Sequence, residues 1–336
     1  MIEIRKKLLI VVILILALLV GSFGSTLSKG SSDITVTDAR GETINFESSP
    51  ERIISFMPSN TEILFYLDVG DRVVGVDDYS NYPKEVEGLP TVGDAFSVDY
   101  EKIASLSPDV VVIPFYNTEA IENLEDVDIK VVATASTSVS DVYSDMELLG
   151  EMCGVKETAE HKVRELKNQM DDITADARDI PFSKRSTLLY ITGVEPIYTA
   201  GNDTFQHTLF VNAGFNNIAS NKSGWYTISE EEIISDNPDV IIAPERLNES
   251  IKELKEKDTW QDINAVKNDN IFFVDEDIVS RPSPRIIDGQ EELVDINQEI
   301  EDIGKEDEET IPSLGVSILI PALATAALIY KKHKRS

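Results

Sequence analysis

The side chains able to make or break bonds are few in this 336-residue chain. His161, His207 and His333 are its three histidines, and none is read as standing beside a carboxylate or a second histidine at metal-ligand spacing. A zinc or manganese site built on imidazole is therefore not expected. The chain has no Gly-x-Ser-x-Gly elbow and no phosphate-cradling loop. Ser59, with Glu62 three residues on, has the spacing of a helix capping box and reads as a cap, not a nucleophile. No enzyme chemistry is expected. What stands out is aromatic material in loops that follow strand-like runs, the places where open α/β sheets hold ligands. In the first half these residues are Phe96, Phe115 and Tyr116; in the second they are Tyr198, Trp225 and Tyr226. Two aromatic walls facing across a cleft would suit a large, flat, partly apolar ligand.

The elements that must position them follow from an internal repeat. Residues 101–114 read EKIASLSPDVVVIP and residues 231–244 read EEIISDNPDVIIAP, agreeing at seven of fourteen positions without a gap. Each copy reads as a short amphipathic helix, a Pro-Asp turn that stops it, and a Val/Ile run suited to a buried parallel strand. The offset sets Trp225 and Tyr226 opposite Ala95 and Phe96. Further strands are expected over 52–56, 72–76 and 130–133 and over 187–191 and 271–274. Helices are expected over 61–67, 139–152, 204–211 and 289–300. Strands separated by helices predict an α/β fold of two lobes with mainly parallel sheets. Between the halves, Ala159, Val163, Leu166, Met170, Ile173 and Ala177 recur at steps of three and four, which predicts one long connecting helix over 156–178. A rod of that length reaches roughly 30 Å and permits less lobe motion than flexible strands would.

The termini read as addresses. Basic Arg5, Lys6 and Lys7, an apolar run from Leu8 to Val20 and small residues after it read as a signal peptide over 1–25. Residues 311–330 hold no charge and are followed by a basic tail over 331–336, the pattern of a C-terminal transmembrane helix with its tail cytoplasmic. Between them are expected an N-terminal lobe over 33–154, a connecting helix over 155–180, a C-terminal lobe over 181–300 and an acidic linker over 301–310. The body would then lie on the outer face of a cell membrane. A balance of 61 acidic to 30 basic residues, net −31, repels nucleic acid and excludes that partner. Cys153 is the single cysteine, so there is no disulfide framework, and it reads as a small buried hydrophobe.

PERIISFMPSNTEILFYLDVGDRVVGVDDYSNYP at 50–83, the SPDVVV and NPDVII units, GW at 224–225 and SRPSPRIIDG at 280–289 resemble the cobalamin and iron-siderophore binding proteins of ABC importers. The resemblance spans 53 to about 293. It implies two lobes joined by one long helix, a ligand held between them, and a monomer that delivers it to a membrane permease and its ATPase. No resident cofactor is implied. SNTEILFYL followed by VDDYSNYP is closer to the cobalamin branch, so a corrinoid is the first expectation for the ligand and a ferric siderophore or haem the second. A surface adhesion protein would share the acidic, secreted and tethered character. Arg281 and Arg285 are read either as contacts for an anionic ligand or as inter-lobe structural residues. The family meets its permease through one exposed acidic residue on each lobe. Glu231, six residues after Trp225 at a helix start, matches that position. Glu119 is its looser partner in the first lobe, while the repeat itself pairs Glu231 with Glu101.

Overall fold

The computed structural model describes residues 33–94 and 97–309. An antiparallel hairpin of β1 (Ile34–Thr37) and β2 (Thr43–Phe46) precedes β3 (Ile53–Ser55), β4 (Val73–Val76), β5 (Val110–Pro114) and β6 (Val131–Thr134). These four form a parallel sheet in the order β4-β3-β5-β6. Helices α1 (Pro58–Tyr66), α2 (Tyr100–Leu106), α3 (Thr118–Glu125) and α4 (Val139–Met152) belong to this lobe. Helix α5 (Lys156–Arg178) leads to β7 (Thr187–Tyr190), β8 (Gly193–Val194), β9 (Ile197–Ala200), β10 (Asn216–Asn217), β11 (Trp225–Thr227), β12 (Val240–Pro244) and β13 (Ile271–Val274). A second parallel sheet has the order β10-β7-β12-β13, and β11-β9-β8 form a small antiparallel sheet beside it. Helices α6 (Phe205–Asn212), α7 (Glu230–Asp236), α8 (Asn248–Lys255), α9 (Asn264–Lys267), α10 (Glu276–Ser280) and α11 (Ile286–Glu309) complete the described chain.

The repeat has a structural cause. Its strands, β5 and β12, are interior strands of the two parallel sheets and are buried along their whole length, which is why their sequences are unbroken apolar runs. The helices before them, α2 and α7, end in left-handed residues, Ser107 at φ 47° and Asn237 at φ 45°. Next, Asp109 Oδ2 accepts from the backbone of Glu51 and Arg52 at 2.8 and 2.9 Å, and Asp239 Oδ2 accepts from Thr187 N at 3.0 Å. Each repeat aspartate thus fastens its strand to the start of the neighbouring strand, β3 or β7. The Pro-Asp turn ties strands as well as stopping a helix.

Helix α5 buries Ala159, Val163, Leu166, Met170 and Ala177 along one stripe, against α4 and α11. Each large side chain so buried stabilises by roughly 1.5–3 kcal/mol. The approach of α4 needs a glycine, because a Cβ on Gly150 would fall 2.3 Å from the Cβ of Ala159. Cys153 is buried at the end of α4, and burial pushes its thiol up to about 12.

Three expectations need correction. Helix α1 starts at Pro58, a good first-turn residue, so Ser59 and Glu62 lie inside it and form no capping box. Met57 takes the cap position at φ 78°, without a side-chain cap. Helix α11 begins three residues earlier than expected, at Ile286, and carries the acidic stretch as helix as far as Glu309. His161 does have a carboxylate at hand, Glu165 at 3.3 Å one turn along α5, although both are exposed and no group of three metal-ligating side chains occurs among the described residues. No helix of the described residues is long and apolar enough to cross a membrane; the signal segment and the expected span at 311–330 lie outside them.

Candidate ligand cleft

In a parallel sheet the loops at the carboxyl ends of the strands gather on one side. In the first lobe these loops supply Phe56 and Met57 after β3, Asp77 and Tyr79 after β4, and Phe115 and Tyr116 after β5. Phe115 and Tyr116 are 39% and 49% exposed and meet edge to face, with ring centroids 5.6 Å apart. A cavity of about 110 Å³ lies between Phe56, Met57, Asp77, Tyr79 and Pro114. Asp77 is buried and accepts from Tyr79 N at 2.7 Å and Ser80 Oγ at 2.9 Å. Burial pushes its carboxyl upward against those hydrogen bonds. Phe96 lies outside the described residues.

The second wall is decided by strand register. Trp225 pairs with Ala200, Tyr226 with Thr199 and Thr227 with Tyr198. Side chains alternate along a strand, so Trp225 and Tyr198 share one face, where they are 50% and 43% exposed. Tyr226 turns to the opposite face and packs against the cluster holding Ile228, Ile233 and Trp260. Its hydroxyl is buried without a hydrogen-bond partner, and burial, with Glu232 and Asp236 nearby, pushes the phenol up to about 12. Of the two adjacent aromatics in the sequence, the exposed one is Trp225.

The lobes meet at a polar node that bears out the inter-lobe reading of Arg281 and Arg285; their partner Glu62 was the residue sequence reasoning missed. Glu62 of α1, 1% exposed at its side chain, accepts from Arg285 Nη2 at 2.6 Å and Nε at 2.9 Å, from Arg281 Nη1 at 3.2 Å and from Ser283 Oγ at 2.7 Å. Asn81, in the loop after β4, accepts from Arg281 at 2.7 Å and donates to Asp277 at 3.2 Å. Arg281, read either as a ligand contact or as an inter-lobe structural residue, is engaged by Glu62 and Asn81 of the first lobe and by Asp277, the last at 2.7 Å. Arg246, just after β12, is likewise held by Glu276 at 2.6 Å. Every arginine in these loops is ion-paired, while Asp77, Asp78, Glu245 and Asp275 stand at the same strand ends. The cleft side carries excess negative charge.

Glu119 and Glu231 are exposed in the first turns of α3 and α7. In the structure Glu101 is the counterpart of Glu231. Each is the second residue of its helix, after a side-chain cap supplied by Asp99 or Ser229.

Two parallel α/β lobes joined by a single long helix, each presenting exposed aromatic side chains, have the architecture of a solute-binding protein. Residues 53–278 match the periplasmic binding protein family, and the chain belongs to it, among the cobalamin and iron-siderophore binding proteins of ABC importers. An ABC-transporter substrate-binding lipoprotein of Bacillus subtilis is 35% identical over 268 residues, 78% of this chain and 84% of the relative. The cobalamin-binding protein of Halobacterium salinarum is 28% identical over 77% of this chain and 72% of its own. The crystal structure of a possible iron-binding (periplasmic solute-binding) protein from Staphylococcus epidermidis superposes with a TM-score of 0.67. It is 32% identical, over 74% of this chain and 99% of that one. The protein is thus the substrate-binding component of an ABC importer, a non-enzymatic partner of a permease and its ATPase.

Proposed function

We propose that the cleft captures a corrinoid between the aromatic faces of Phe115 and Tyr116 on one lobe and Trp225 and Tyr198 on the other. The observation that carries this reading is the pairing of Arg246, Arg281 and Arg285 with carboxylates, which leaves exposed ring faces and no free guanidinium among the described cleft loops. Such a site favours a neutral, broad, partly apolar ligand over a polyanion. The cobalamin-binding relative supports the same choice. A ferric siderophore or haem is the second reading, favoured by the exposed phenols of Tyr79, Tyr116 and Tyr198. Titration of the purified external body with cyanocobalamin, a ferric hydroxamate and haem, followed by tryptophan fluorescence, separates them. Binding of haem or the hydroxamate with no response to cyanocobalamin rejects the corrinoid.

The remaining organisation belongs to the same proposal. A signal peptide over 1–25 exports the chain, and an apolar span over 311–330 holds the lobes, over 33–154 and 181–300, outside the membrane. Protease added to intact cells is expected to degrade the body, and protection of residues 33–300 counts against this topology. Glu231 on one lobe and Glu101 or Glu119 on the other meet the permease.

A further inference from the structure

We infer that Glu62 sets the charge preference of the cleft, holding Arg281 and Arg285 in ion pairs so that neutral ligands are admitted and anionic ones refused. The inference rests on the reading of this cleft as the ligand site. Glu62 comes from α1 of the first lobe and both arginines from the segment between α10 and α11 of the second, 219 and 223 positions away. The node stands where the segment after β4 meets the segment after β13, because Asn81 and Asp277 bond there across the lobes, and Glu62, Tyr82 and Arg285 line a cavity between the lobes with Lys162 and Leu166 of α5. Two carboxylates, Glu62 and Asp277, face two guanidiniums, so the node is neutral.

Arg285 is fixed from a third side by Tyr82, whose ring lies 4.1 Å beneath the guanidinium. Arg281 is the looser of the two in chemistry, since its other partners, Asn81 and Asp277, belong to loops at the strand ends where a ligand would lie. A buried ion pair contributes little stability beyond what an apolar contact of equal volume would supply, which directs attention to specificity. A bidentate arginine is the natural partner of a carboxylate or catecholate oxygen pair. Glu62 occupies that fork on Arg285 and one arm of Arg281. Without the Glu62 charge, both guanidiniums would face Asp277 alone, and a net positive centre would appear at the node.

The test is Glu62→Gln, which keeps the shape and removes the charge. Haem and a ferric tris-catecholate serve as anionic probes and cyanocobalamin as the neutral one, with affinities measured by calorimetry. The variant is expected to bind the anionic probes roughly tenfold to a hundredfold more tightly than wild type, the ratio of one charge-assisted hydrogen bond. The gain should shrink at high salt and vanish in Glu62→Gln/Arg281→Gln. Asp277→Asn, which leaves the buried pair intact, should show a smaller gain of the same sign and keeps the test open if Glu62→Gln does not fold. Equal gains for neutral and anionic probes, or no gain in whichever variant folds, would overturn the inference. Failure of wild type to bind cyanocobalamin refutes the corrinoid reading only, because the comparison of anionic probes does not depend on it.

Discussion

Replacing Trp225 by alanine is the most direct probe of the cleft. The indole is 50% exposed, and a tryptophan buries up to about 250 Å² when covered, so a ligand stacked on it would remove roughly 125 Å² from water. At about 25 cal/mol per Å² that is an upper bound near 3 kcal/mol, and the ordering cost of association lowers it to about 1.5–3 kcal/mol. Affinity for the proposed corrinoid should therefore fall roughly tenfold to a hundredfold in Trp225→Ala. Stability should hardly change, since the side chain stands on an exposed face of a short strand. The second tryptophan, Trp260, is fully buried and donates to Glu230 at 3.0 Å, so ligand-induced quenching in wild type should come from Trp225 and disappear in the variant. Calorimetry then supplies the affinity. An affinity within twofold of wild type in a folded Trp225→Ala protein would refute the stacking geometry, and with it the strand register as a guide to the site.

Tyr226→Phe removes a buried hydroxyl that has no partner and should leave stability unchanged or raise it by up to about 1 kcal/mol in urea unfolding, with ligand affinity unaltered. Glu292, its carboxyl pushed up to about 7 by burial and by Asp275, Glu245 and Asp295, favours the folded state while protonated. The associated stability is present below about 4.5 and lost as pH rises to about 7, so Glu292→Gln should flatten the decline over that window by on the order of 1 kcal/mol after solvent screening; parallel pH profiles would refute it. Glu231→Ala and Glu101→Ala should each reduce ligand-dependent uptake or permease binding without changing ligand affinity. Normal uptake by Glu231→Ala at limiting expression would exclude docking through α7, and a stronger effect of Glu119→Ala than of Glu101→Ala would place the first-lobe contact on α3.

The long helix was legible because a packed stripe must recur every three to four residues, and the stripe from Ala159 to Ala177 does so; α5 has the bounds read from spacing alone. The central strands were legible because burial on both faces excludes polar residues from β5 and β12. Short elements were not. β8, β9 and β11 have two to four residues each, too few for alternation to stand out, and they decide that Trp225 faces outward and Tyr226 inward. The start of α1 was misread because a serine and a glutamate at capping spacing carry no mark of the tertiary contact that claims Glu62. Its partners Arg281 and Arg285 lie more than two hundred positions along the chain; their inter-lobe role could be read as one alternative, but no local pattern names Glu62 as the group they meet.

The connecting helix carries a further consequence. A single rigid rod, packed on α4 at one end and α11 at the other, leaves twisting and slight bending as its soft modes, and the Glu62 node resists both. Empty and loaded protein should then have nearly the same outline and scattering radius. A permease presented with either would meet almost the same face, so discrimination between them has to come from small differences in stiffness or from the ligand showing at the mouth of the cleft. Competition between empty and loaded protein for the transporter becomes a built-in feature of such a design, and its severity grows with the ratio of binding protein to solute.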